Sequence, residues 1–167
     1  MKLQELFDSS EYFKEIVNKQ IPELNFDIEF VKYKKLFKDS FRESDPPSAT
    51  HKFSSGVYIF CDNKDNIIYI GKAANGNLAF RIWDHLKTPN DVNQFEKSPW
   101  VTNHAYDKQA RAIILKGNFT VSAIVVEPKE LSSLLEVYLQ TIHYIKEKKN
   151  LPVLIAKLVK RFYFLFN

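Results

Sequence analysis

The stretch from Gly56 to Lys72, GVYIFCDNKDNIIYIGK, decides how this chain is read. Two runs of β-branched and aromatic residues flank the polar segment Asp62-Asn63-Lys64-Asp65-Asn66, the pattern of two antiparallel strands joined by a tight turn. With Asn63 and Lys64 as the loop, Tyr58 stands directly opposite Tyr69. Two phenols then share one face of the sheet, whereas a slip of one residue sends one of them to the other face.

The rest of the composition frames that hairpin. A chain of 167 residues suffices for one domain with a real core. Fourteen Phe and eight Tyr against four Gly make that core aromatic-rich. A single cysteine, Cys61, rules out an internal disulfide and suits a reducing compartment. No stretch approaches the roughly 20 apolar residues of a membrane span. The start, MKLQELFDSSEYFKE, carries acids where an export signal has its apolar core, so a cytoplasmic protein is expected. The net charge of +4 is uneven: residues 1 to 50 hold 8 basic against 10 acidic side chains, and residues 51 to 167 hold 16 against 10. A positive field on the larger part favours a polyanionic partner such as nucleic acid.

Outward from the hairpin, the chain alternates helical and strand patterns. Residues 2 to 20 read as a helix through Leu3, Leu6, Phe7, Phe13, Ile16 and Val17, with Ser10 available as a cap that splits it and Pro22 as the stop. A second helix is expected from about Asp27 to Phe41, then a loop from Glu43 to Ser55. Residues 1 to 50 are therefore expected to form an N-terminal helical extension to a domain over 51 to 167. After the hairpin, Ala73 to Asn77 is a turn with two N-cap candidates, and Leu78 to Leu86 is a helix whose Arg81 and His85 share a face. Residues 87 to 104 read as an insertion, Ala105 to Lys116 as a helix closed by Gly117, and Phe119 to Glu127 as the third strand. Glu130 to Lys149 is an amphipathic helix with Glu136, Gln140 and His143 along its flank. The apolar tail LPVLIAKLVKRFYFLFN packs on the N-terminal helices or on a partner chain, so a homodimer through either is open. The expected fold class is α+β, a three-stranded antiparallel sheet flanked by helices.

The chemistry is narrowed by what is missing. Cys and His have no metal-ligand spacing, the four glycines match neither dinucleotide nor phosphate-loop patterns, and no Gly-x-Ser-x-Gly elbow occurs. What remains in chain order is Tyr58, Tyr69, Lys72, Arg81, His85 and Glu136. One carboxylate for a divalent cation, two cations for phosphate and two phenols suit phosphoryl chemistry better than acyl transfer or redox. Each residue also has a plain reading: cross-strand aromatics for the tyrosines, a solvated helix face for Arg81 and His85, a surface acid for Glu136. His51, His104 and His143 read as solvated or hydrogen-bonded rather than catalytic, and Trp83 as core. Trp100 and Tyr106, near Lys97, Lys108 and Arg111, are either a DNA-contacting insertion or simple packing. The basic run Lys146 to Arg161 either tracks phosphates or is a solvated face.

Gly56-Val57-Tyr58, Tyr69-Ile70-Gly71-Lys72, Arg81 followed by His85, and Glu136 together resemble the GIY-YIG endonuclease superfamily, over about residues 56 to 151. The resemblance implies a DNA endonuclease with one divalent cation, Mg²⁺ or in substitution Mn²⁺, held by Glu136. It implies that Tyr58 is the general base, that His85 accepts or polarises its proton, and that Arg81 binds the scissile phosphate. Tyr69 then positions the phosphate or the attacking water, while Lys72 and Arg81 lower the Tyr58 pKa. A late asparagine follows a proline in that family. Here Asn150 precedes Pro152 and Ile155 holds the position after Pro-x-Leu, so Asn150 is the nearest counterpart. Among the family's roles a restriction-like or phage and mobile-element enzyme with built-in recognition is expected. The alternatives are a repair or structure-specific nuclease, or a catalytically silent DNA-binding or assembly module.

Overall fold

A computed structural model describes residues 1–33, 51–86 and 119–147, with the side chains of 83–86 excepted. The fold is α+β: helix α1 (Leu3–Gln20), strands β1 (Asp27–Tyr33), β2 (Gly56–Asp62) and β3 (Ile67–Ala73), helix α2 (Leu78–Leu86), strand β4 (Phe119–Glu127) and helix α3 (Ser132–Lys146). The sheet is antiparallel in the order β1-β4-β2-β3 and has four strands where three were expected. Among the described residues no helix is long and apolar enough to cross a membrane.

The additional strand is the described part of the expected helix from Asp27 to Phe41. Asp27-Ile28-Glu29-Phe30 alternates polar and apolar residues, which a ladder exploits and a helix does not. Antiparallel pairing with β4, from Asp27 opposite Glu127 to Tyr33 opposite Val121, satisfies the backbone and sends Ile28 and Phe30 to one core. Residues 34 to 50 of that expectation lie outside the described residues, as do the insertion, the Ala105 to Lys116 helix and the tail.

Central strand β2 is buried on both faces. Val57, Ile59 and Cys61 meet Leu6, Phe7 and Phe13 of α1 and Leu135 and Leu139 of α3 in one apolar cluster. Tyr58 and Phe60 point the other way, into a cluster with Leu78 and Ile82 of α2. Helices α1 and α3 thus cover one face and α2 the other. The first 33 residues, expected as part of a helical extension, supply a helix and a strand to this shared core. Helix α1 is continuous: Ser10, expected as a cap that splits it, is buried and its hydroxyl donates to the Leu6 carbonyl at 2.8 Å. The Asn18 side chain ties α1 to β1 by bonding both backbone groups of Phe26 at 2.8 Å.

The hairpin register differs from expectation. Tyr58 pairs with Gly71 and Phe60 with Tyr69, with Ile68 accommodated as an extra residue between Tyr69 and Ile67. The loop is longer than Asn63-Lys64: Asp62 bonds Asn66 across it at 2.9 Å, and Asp65 adopts a left-handed backbone with φ 58°. Asp62 Oδ1 fixes the turn by accepting from the backbone N–H groups of Lys64 and Asn66 at 2.8 and 2.9 Å. The displacement between expectation and structure is two residues, so Tyr58 and Tyr69 still share a face.

Leu6 is fully buried. If α1 belongs to the common core, Leu6→Ala costs about 2–5 kcal/mol in a denaturant titration of the whole chain. A cost below about 0.5 kcal/mol, the range of surface substitutions, contradicts that assignment.

Candidate active site at the β3 edge

Tyr58 opposes Gly71 across the hairpin, and the missing side chain at Gly71 is what lets two rings converge there. A Cβ on Gly71 would lie 2.6 Å from Cζ and the hydroxyl of Tyr58 and 2.6 Å from Cε1 of Tyr69. Instead the two rings sit 6.0 Å apart at 39°, and their hydroxyls hydrogen-bond to each other. Phe60 walls the pair, edge-on to Tyr58 at 6.0 Å.

The two phenols differ in depth. Tyr58 is 1% exposed, whereas Tyr69 is half-buried. Burial pushes the Tyr58 pKa well above its ordinary value, and the neighbouring Tyr69 adds to this, while the Arg81 guanidinium opposes it without prevailing. The lowering expected from Lys72 and Arg81 is thus outweighed by desolvation. Tyr69 is also raised by burial, against which the bond from Tyr58 and the charge of Arg81 work.

The carboxylate arrives from the opposite face. Lys72 shares the face of Val57, its partner in the ladder, and so lies on the α3 side of the edge strand β3. Its Nζ is 3.4 Å from Glu136 Oε2. Gln140, one helical turn on, donates through Nε2 to Glu136 Oε1 at 3.3 Å and to the Ile70 carbonyl at 3.0 Å. That amide fastens α3 to the outer edge of β3 and orients the carboxylate. Burial raises the Glu136 pKa, countered by Lys72 and Arg81. Arg81 on α2 therefore acts electrostatically on Tyr58, Tyr69 and Glu136 alike. Five of the expected residues, from β2, β3, α2 and α3, converge at this edge.

His85 lies one turn beyond Arg81 on α2, and its side chain is outside the described residues, as is Asn150. Gln140 had no assigned role in the sequence reading, although its i, i+4 spacing from Glu136 was the available signal. His51 is occupied by Glu29 at 3.2 Å, and His143 is buried on the core stripe of α3. Trp100 and Tyr106 lie outside the described residues.

Among the described residues no three His, Cys, Asp or Glu side chains gather into a metal-binding group. A hard divalent cation at this edge would have Glu136 as its anionic protein ligand, with substrate and water oxygens completing the shell. The fit is chemical: a carboxylate with its side chain 16% exposed carries a buried charge that a cation would offset.

Gly71→Ala forces the two rings apart and is expected to destabilise the fold by about 1–3 kcal/mol in chemical denaturation; an effect within about 0.5 kcal/mol contradicts the packing described. Compared with known protein families, curated proteins and solved structures, the chain matches none of them.

Proposed function

We propose that the chain is a Mg²⁺-dependent DNA endonuclease of the GIY-YIG type, restriction-like or of a phage or mobile element, acting in the cytoplasm. The observation that carries this reading is the meeting of Glu136 and Lys72 with Arg81 and the Tyr58–Tyr69 pair around one edge strand. Arg81, with its planar fork of donors, binds the scissile phosphate and stabilises charge added in the transition state. Lys72 holds the Glu136 carboxylate and adds positive potential where phosphate arrives. Tyr69, the more accessible phenol, contacts the phosphate or the water, and Tyr58 takes the proton through the bond that joins the two hydroxyls. Mg²⁺ bound at Glu136 would polarise the phosphate and stabilise the leaving oxygen. His85 and Asn150 keep the roles that the resemblance implies. Cutting both strands with one such site per chain calls for two visits or for two chains, as in a homodimer.

A second reading, a silent DNA-binding or assembly module on the same fold, draws on two observations. Tyr58 is buried with a raised pKa, and Lys72 already occupies one oxygen of Glu136. The two readings part on incubation of the wild type and Glu136→Gln with plasmid, linear and branched DNA, with and without Mg²⁺. The nuclease reading expects discrete fragments from the wild type with Mg²⁺ only, and none from Glu136→Gln. Cleavage that survives in the variant overturns the metal assignment, and branched-only cutting overturns the restriction-like role.

The same variant has a stability signature. The folded pKa of Glu136 is raised, so its protonated form favours the fold and the stability it contributes at acid pH is lost as pH rises through the folded pKa. Glu136→Gln removes that buried charge, and at neutral pH its Tm should equal or exceed that of the wild type. A fall of more than about 4 °C contradicts this, being on the order of 1 kcal/mol for a chain of this size. Rate follows the other titration. With Tyr58 protonated at neutral pH, single-turnover cleavage should rise about tenfold per pH unit from roughly pH 6 to 9, as the phenolate fraction does. A plateau below about pH 8 excludes Tyr58 as the base.

A further inference from the structure

We propose that Lys52, Phe53 and Phe80 form a docking platform for an unpaired nucleotide of the DNA strand that enters the Arg81 site. The inference deepens the nuclease reading and rests on it. Phe53 is 73% exposed, the most exposed large apolar side chain among the described residues. Single exposed apolar residues are common, but this one belongs to a built arrangement. Its ring lies 6.0 Å from Phe80 at 42°, and Lys52 Nζ sits 5.6 Å from the Phe53 centroid and 5.1 Å from that of Phe80. The ammonium thereby sits to one side of the pair, within cation–π reach of both rings.

The turn that carries these residues is fixed. Ser54 N–H donates to the His51 carbonyl at 3.1 Å, the Ser54 carbonyl accepts from Leu78 N–H at 3.1 Å, and Ser55 Oγ accepts from Gly76 N–H at 2.9 Å. Gly76 permits this approach: it has φ 63°, and a Cβ there would stand 2.8 Å from the Phe53 carbonyl oxygen. The platform is thus anchored to the start of α2. Phe80 immediately precedes Arg81, and α2 covers the sheet face that carries Tyr58.

An exposed aromatic face beside a held cation fits a base with its flanking phosphate. The base stacks on the solvent side of Phe53, while Lys52 meets the phosphate. A paired base has both faces covered by its neighbours, so the platform selects an unpaired one. The groove between α1 and α3 is a poorer match for DNA, since Glu5 and Asp8 line it and repel phosphate.

The test is fluorescence anisotropy of a fluorescein-labelled single-stranded oligonucleotide and of the matching blunt duplex, in EDTA, with the full chain. Phe53→Ala should weaken single-strand binding roughly tenfold, leave duplex binding near the wild-type value and leave Tm unchanged. Phe53→Trp should restore it. Lys52→Gln should reduce the slope of log affinity against log salt by about 0.7, one phosphate contact on a single strand. Wild-type affinity in Phe53→Ala, equal losses on both DNAs, or failure of Phe53→Trp to rescue overturns the platform. Loss of self-association in Phe53→Ala with DNA binding intact overturns it in favour of a protein contact. Because binding is read without metal, a wild type that binds through Phe53 but never cuts sinks the nuclease reading alone. One that cuts while Phe53→Ala binds normally sinks the platform alone.

Discussion

At Gly71 the hairpin omits a side chain where two aromatic rings converge, and the rest of the candidate site depends on that omission. A Cβ there would stand 2.6 Å from atoms of both rings, so Tyr58 and Tyr69 would have to move apart. One phenol is fully buried and the other half-buried, so the hydrogen bond between them links the core to the surface. The pairing of Tyr58 with Gly71, in turn, follows from the longer Asp62–Asn66 turn and the extra residue Ile68. A local feature of the loop therefore decides which residue lies beneath the rings.

The second constraint is electrostatic. Glu136 is drawn into a partly buried place by helix packing and fastened there by Gln140, which also satisfies the outward carbonyl of Ile70 on the edge strand. A carboxylate so placed keeps its charge only with cations nearby. Lys72 and Arg81 supply them from two sides of β3, and the same two charges are what a phosphate would meet. In the proposed function phosphate recognition would draw on the same side chains as this neutralisation, which is why the nuclease and silent-module readings share one geometry and differ only in what happens when DNA and metal arrive.

Much of this was legible in the sequence, for physical reasons. Strands β2 and β4 and helix α2 stand where apolar periodicity and the turn residues put them, because both patterns are local. Strand β1 was misread because Phe30, Val31, Tyr33, Leu36 and Phe37 also fit a helical period, and pairing with β4, about a hundred residues away in sequence, is invisible to a local window. The register was off by two because the turn, with its left-handed residue at Asp65, is one residue longer and Ile68 adds another as a bulge, neither of which composition alone specifies. For the site, alternation placed Tyr58 and Tyr69 on one face but said nothing of depth. The burial that raises the Tyr58 pKa comes from Phe60, Leu78 and Ile82 packing around it. The same limit applies to Gln140: its role depends on the Ile70 carbonyl, a backbone group of another element.

The central claim is that Tyr58 and Tyr69 act as one proton-handling unit in phosphodiester cleavage. A double-mutant cycle of Tyr58→Phe, Tyr69→Phe and the pair, read as single-turnover cleavage of plasmid DNA with Mg²⁺, tests it most directly. Residues that work as a unit are strongly non-additive, so the pair should be no slower than the slower single variant, both singles falling by about a hundredfold or more. Independent, multiplying losses, or singles that cut at the wild-type rate, would contradict the account.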